Sequence, residues 1–257
     1  MAKQLSIVLI GSGHAALALG LAFQKKHQVI QVVARNEKKA ASVAKKIACK
    51  SYGIIAHINK KADVYILCVK DDAIASLSKK IPPGGTVIHL SGATSIGVLN
   101  KHQHAGVAWP VRSLAGLKPV DWKKIHVLYE ASSSTAKKHL QQLFTSIGSH
   151  VHYAAGENRV GVHMSIVVLN NFIHHLAFKG KELLKKYGFE KALYEQILVD
   201  EFEKIVSSDL RSTQTGPARR NDKKVIAKQI QLLKNDPEFR NVYKTITKSI
   251  IKTYSHE

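Results

Sequence analysis

Apolar residues fall in short, bounded runs over the first 156 positions and in long helical periodicity afterwards. Leu5–Ile10, Val29–Ala34, Val64–Val69, Thr86–Leu90, Gly106–Trp109, His126–Tyr129 and His150–Tyr153 read as strands. Between them, Ala15–Lys26, Glu37–Ile47, Asp72–Lys79 and Ser134–Ile147 carry the helical spacing. Such alternation predicts an α/β chain with a doubly wound, mostly parallel sheet covered on both faces. The turn Pro82-Pro83-Gly84-Gly85 prepares the strand that follows it. After Gly156 the strand signals vanish, and helices are expected over Glu157–Tyr187, Glu190–Ser208, Lys223–Lys234 and Pro237–Tyr254. Asn235-Asp236-Pro237 stops one helix and starts the next, with proline at a tolerated first-turn position. The pattern predicts two domains, an α/β domain over 1–156 and an all-helical one over 157–257.

The first strand runs into Gly11-Ser12-Gly13-His14-Ala15-Ala16 and then a helix. In this strand–turn–helix context G-x-G-x-x-A is the dinucleotide-binding signature of a Rossmann domain. Gly11 allows the tight turn and Gly13 lets backbone approach a pyrophosphate, while Ala16 allows close helix–strand packing. Ser12, His14 and Ala15 then line the phosphates, which meet the free N–H groups at the helix start. The bland alternative is an ordinary glycine turn.

Composition narrows the setting. Two cysteines, Cys49 and Cys68, stand far apart with no C-x-x-C spacing, so neither a disulfide framework nor a metal site is indicated. Cys68 reads as a small core residue, and the usage fits a reducing, cytoplasmic compartment. The first apolar run is too short for a signal peptide. The longest apolar segment, Met164–Phe178, is interrupted by Asn170, Asn171, His174 and His175 and reads as a buried helix, not a membrane span. The formal net charge is +21, and nine Lys-Lys pairs recur along the chain. The pairs are scattered without interleaved aromatics or any nucleic-acid motif, so a solvated lysine-rich surface is the simpler reading and no specific nucleic-acid partner is expected. A positive field would still gather a phosphate-bearing cofactor.

Candidate chemistry lies at the carboxyl ends of the strands. The second strand ends in Arg35-Asn36, which leans to the 2′-phosphate of NADP, although Glu37 follows closely. Val69 and Lys70 should lie along the cofactor, and Asp72 is expected to cap the next helix. The next strand ends in His89-Leu90 and runs into Ser91-Gly92, placing Ser91 near a nicotinamide or, alternatively, in a plain turn. Trp109 and Pro110 either wall the pocket or close the domain junction. On the long helix, His163, Val167, Asn170 and His174 fall on one face with Asn171 beside them. Polar groups in an apolar helix are costly unless bonded, which suits a substrate pocket, an internal network or a subunit contact. Gln214–Asp222 is a Gly-Pro turn bearing Arg219 and Arg220, and arginine suits bidentate carboxylate or phosphate recognition. Its bland alternative is a structural turn capped by Asp222.

Taken together these residues resemble one family: Rossmann-like proteins with a helical C-terminal domain of unknown function (domain of unknown function 2520). It lies within the wider group of 6-phosphogluconate, 3-hydroxyisobutyrate and pyrroline-5-carboxylate type reductases. The resemblance rests on Gly11-Ser12-Gly13, Val69-Lys70-Asp71-Asp72-Ala73-Ile74, Ser91-Gly92, His163 through Asn170-Asn171-Phe172, and Thr215-Gly216-Pro217-Ala218 with Arg220 and Asp222. It implies NADP(H) binding, dimerisation through the helical domain and, for some members, reduction of 2-dehydropantoate as a third type of ketopantoate reductase in pantothenate synthesis. Two departures stand out. Val167 occupies the place of the catalytic lysine of the 3-hydroxyisobutyrate-type enzymes, and Asn221 stands where the family's turn has glycine. Asparagine tolerates a left-handed backbone better than most residues.

The reading that follows is an NADPH-dependent reductase of a small 2-oxo acid. In it His163 is the proton donor, Asn170 and Ser91 hold the carbonyl, and Asn171, Thr215, Arg220 and Pro110 surround the substrate. The alternatives are a non-catalytic NADP(H)-binding sensor or scaffold, motivated by the absent lysine, and a nucleic-acid-binding protein, motivated only by charge.

Overall fold

The computed structural model describes residues 3–114, 120–189 and 191–255. Its chain divides into two compact units, one ending at Val168 and the other starting at Leu169. The element type changes near Gly156, ahead of that division.

In the first unit β1 (Ser6–Ile10), α1 (His14–Phe23), β2 (Gln28–Val33), α2 (Glu37–Lys46), β3 (Tyr52–Gly53), β4 (Val64–Leu67), α3 (Asp71–Ser78), β5 (Thr86–His89), β6 (Ala105–Pro110), β7 (His126–Ala131), α4 (Ser134–Ser146) and β8 (His150–Tyr153) follow in order. They build one eight-stranded sheet of order β3-β2-β1-β4-β5-β6-β7-β8. All neighbours run parallel except β6 and β7. The order reverses between β1 and β4, the switch point where doubly wound sheets bind ligands. Alternate residues of β1 serve the two cores. Ile7 and Leu9 pack with α1, α2 and α4, through Leu19, Phe23, Val43, Leu140 and Phe144. Val8 and Ile10 pack with Ile74 of α3 and with Leu99 on the other face. Both sides of the central strands are buried, which is why these strands are apolar throughout rather than alternating.

The long helix begins as α5 (Gly156–Ile166), widens to a π turn over Val167–Phe172 and resumes as α6 (Ile173–Lys186). It is followed by α7 (Lys191–Ser207), a short α8 (Leu210–Thr213), α9 (Lys223–Leu232) and α10 (Pro237–Tyr254). The predicted helix start at Glu190 lies outside the described residues. Asp222 and Asp236 cap α9 and α10, accepting the amides of Val225 and Phe239 at 3.1 and 3.0 Å.

Three expectations need correction. The long helix is not buried within the chain: Met164 is 66% exposed, Leu169 60% and Phe172 56%, and Arg159 is the one buried residue from Gly156 to Lys186. Apolar content shows that a face wants covering, not that the same chain covers it. By length and composition alone this helix could also cross a membrane. The polar stripe is broken as well, because the π turn interrupts the 3.6-residue period between His163 and His174. Finally, Lys70, not Asp72, occupies the cap position of α3, whose first turn holds both Asp71 and Asp72. β3 was not predicted, since two residues carry no alternation to read.

Candidate functional site

Gly11 ends β1 at φ +135°, donates its amide to Val33 O at 2.8 Å, and leaves no room for a Cβ, which would stand 2.2 Å from Cys68 O. It is therefore locked between β2 and β4. Gly13 is different: it caps α1 without any side-chain hydrogen bond, it is exposed, and nothing lies within 4 Å of where a Cβ would be. The first turn of α1 holds no acidic residue. An uncapped, positively polarised helix start with open space above a glycine fits a pyrophosphate. Ser12 is half-buried, His14 exposed and Ala15 half-buried on this edge, and fully buried Ala16 seats α1 on the sheet. Arg35 is exposed just beyond β2. Asn36 has a structural task, its Oδ1 accepting the Lys39 amide at 3.1 Å as the cap of α2.

Next to this edge lies a cavity of about 230 Å³ lined by Ala15, Cys68, Val69, Asp71, Leu90, Ser91, Trp109, Pro110, Arg112 and Leu114. Trp109 and Pro110 thus wall the pocket. Lys70 is exposed at the start of α3. Ser91 is buried, and its hydroxyl is fully used: Oγ donates to Asp71 Oδ2 at 2.6 Å and accepts the amides of Ala93 and Thr94 at 3.2 and 2.9 Å. The expected donation from Ser91 to a substrate carbonyl is corrected on that ground, because its one proton already belongs to Asp71. Cys68, beneath the pocket, has its thiol pushed up to about 12 by burial, so it is an inert thiol here.

Gly92 sits under two rings. A Cβ on it would stand 2.6 Å from His163 Cδ2 and 2.7 Å from Trp109 Cε2, and the two rings pack at 5.2 Å between centroids. Glycine at 92 is thus what lets α5 lay His163 against the end of β6. The His163 imidazole is half-buried, and no described residue engages its ring nitrogens. Behind the loop, His89 is fully buried, with Nδ1 accepting the Ser91 amide at 3.2 Å. Burial, then the Arg159 charge, push it down to about 4, against weaker opposite effects of the Ser95 backbone and Asp71. It is a neutral structural imidazole, and sequence reading passed over it, as it did Arg112, Glu130 and Arg159, and gave Asp71 no role of its own. A strand-end histidine or a lone arginine in a helix gives no spacing signal.

In the second unit Gly216 at φ +103° and Asn221 at φ +51° shape the turn. Asn221 adopts the left-handed backbone in place of glycine. Arg219 stacks over Tyr254 at 4.5 Å. Thr215 and Arg220 are exposed on that turn, and Asn170 and Asn171 are exposed on the π turn. Exposed amides carry no desolvation cost, so the energetic argument for a buried polar network there does not hold.

A mostly parallel sheet with a switch point, an uncapped glycine helix start and a pocket beside both defines a dinucleotide-binding protein of the Rossmann class. Residues 6–91 match the family described as NADP oxidoreductase coenzyme F420-dependent, and residues 125–250 match the domain of unknown function DUF2520. No curated protein sequence matches. A protein from Bacteroides fragilis described as a putative NADP oxidoreductase is 30% identical, with 97% of this chain and 98% of that one covered and a TM-score of 0.87. The reductive aminase from Aspergillus terreus, solved with NADPH, shares 12% identity over 89% of this chain and 78% of that one, at a TM-score of 0.64. Pyrroline-5-carboxylate reductase from Streptococcus pyogenes shares 15% over 100% of both chains, at 0.61. The chain belongs to the family of the Bacteroides fragilis protein: it is an NADP oxidoreductase of pyrroline-5-carboxylate reductase-like fold, with NADP(H) as its cofactor.

Proposed function

We propose that this oxidoreductase reduces a small 2-oxo acid, with 2-dehydropantoate the leading substrate. The observation that carries the reading is the half-buried His163 imidazole, resting on Trp109 and Gly92 beside the pocket, whose ring nitrogens no described residue engages. NADPH, when bound, supplies a hydride to the carbonyl carbon. Gly11, Ser12, Gly13, His14 and Ala15 would hold its phosphates. Arg35 would hold the 2′-phosphate, and Val69, Lys70 and Gly92 would border the rest. His163 would give a proton to the developing alkoxide, since imidazole serves as an acid near neutral pH. Ser91 and Asp71 keep the loop in shape, and Pro110 closes the pocket wall. For the second unit we propose that Arg220 and Thr215 recognise a carboxylate, and that Asn170 and Asn171 offer amides to a carbonyl.

We further propose a homodimer formed through the helical part. Of the described residues after Val168, only Ile226, Leu233 and Thr247 are buried, while Phe172, Phe178, Ile197, Phe202 and Val206 are exposed. A cytoplasmic setting agrees with two free, buried cysteines.

The test is NADPH oxidation followed by absorbance, with 2-dehydropantoate, with NADH as paired control and with 1-pyrroline-5-carboxylate as a C=N substrate. Turnover of the oxo acid with NADPH preferred is expected. Turnover of the imine alone would overturn the substrate. NADPH binding without turnover of either would favour a sensor.

A further inference from the structure

The loop after β5 is held from behind by a charge that the reading above does not use. Arg159 of α5 is fully buried. Its Nη1 donates to Gly92 O at 3.0 Å and Thr94 O at 2.9 Å, with Ser91 O at 3.4 Å. Its Nη2 donates to Glu130 Oε2 of β7 at 2.9 Å. Burying a guanidinium costs several kcal/mol, on the order of what a buried pair recovers, and here Nε stays without a partner. An aliphatic side chain would fill the space without that cost. What the arginine does that an aliphatic cannot is gather the carbonyls of Ser91, Gly92 and Thr94 in one loop and tie them to a second strand. The same loop carries the Ser91–Asp71 bond and passes under His163, one helical turn beyond Arg159 on α5. One helix therefore grips the loop twice, from behind through Arg159 and from above through His163.

We propose that Arg159 is a positioning residue for the nicotinamide end of the cofactor. It fixes the Ser91–Thr94 loop as the floor that receives the ring, a role that rests on the cofactor lying along the sheet's carboxyl edge as read above. The adenosine end has its own fixtures, Gly11, Gly13 and Arg35, none of which touches Arg159. The two ends of the cofactor should therefore respond differently to its loss.

The experiment compares NADPH with 2′-phospho-ADP-ribose, which shares the adenosine and phosphate groups but lacks nicotinamide, by calorimetric titration of the full chain. Arg159→Met should weaken NADPH by about tenfold or more while leaving the fragment within about twofold. Arg159→Lys, which keeps the charge but not the fork, should fall between. Equal loss for both ligands, as general loosening would give, overturns the proposal, as does no loss for either. If Arg159→Met does not fold, Glu130→Gln decides in the same way, with a smaller selective loss for NADPH expected. Wild-type protein that binds neither ligand overturns the site reading, and the proposal with it.

Discussion

His89 shows what one buried side chain does to the pH response. Its pKa in the fold is about 4, against 6.5 for the free group. Between those values the unfolded chain takes up a proton that the folded chain refuses, so stability rises with pH across that window. The contribution is complete above pH 6.5 and is lost as pH falls through about 4. The difference corresponds to about 3 kcal/mol. His89→Asn keeps an acceptor for the Ser91 amide but cannot titrate. Its urea midpoint should therefore fall less between pH 7 and pH 4.5 than the wild type's. Burial also lowers the pKa of His27 and of His139, a background common to both proteins. Equal slopes would remove His89 from the account. Little of this was readable from sequence, because a histidine ending an apolar strand looks like any other residue until its partners are known. Ser91 shows the same limit: its position at the carboxyl edge was legible, but Asp71's claim on its proton was not.

Among the elements, α5 is fastened to the ends of β5 and β6 through a glycine that must stay small. In Gly92→Ala the new methyl would meet His163 and Trp109 at 2.6 and 2.7 Å, well inside contact distance. Overpacking of this kind costs about 1–3 kcal/mol. The variant should lower the melting temperature and shift the tryptophan emission as the Trp109 ring moves aside. An unchanged spectrum and melting temperature would mean that the rings are not seated on this glycine. The elements themselves were largely legible. The seven predicted strands match β1, β2 and β4–β8 to within about two residues, because apolar runs bounded by glycine, proline and charge are strong signals. The wide turn in the long helix was not legible, since local composition there is ordinary and only the hydrogen-bond pattern distinguishes it.

For the whole molecule, the helical part raises a question of mass action. With so few buried residues after Val168, its stability should depend on a second copy, and stability gained by association rises with concentration. The melting temperature should therefore climb as protein is concentrated from about 1 to 100 µM, and light scattering should report twice the chain mass. A concentration-independent melting temperature with a monomer's mass would sink the dimer. The change from α/β to helical structure was visible in the sequence as a change of periodicity near Gly156. What covers the apolar helices was not, because hydrophobic spacing records that a face is buried and carries no address for its partner.

The wide turn at Val167–Phe172 bears on how such chains are aligned by descent. A π turn holds one residue more than the α turn it replaces, so the stretches before and after it keep separate phases. A homologue with an uninterrupted helix would match on both sides only across a one-residue gap placed inside the turn. Without the gap, every paired position beyond it would point about 100° away from its counterpart. Val167, set against the lysine of the 3-hydroxyisobutyrate-type enzymes, is subject to that slip. Its neighbours Ile166 and Val168 are aliphatic too, so moving the frame by one in either direction recovers no lysine.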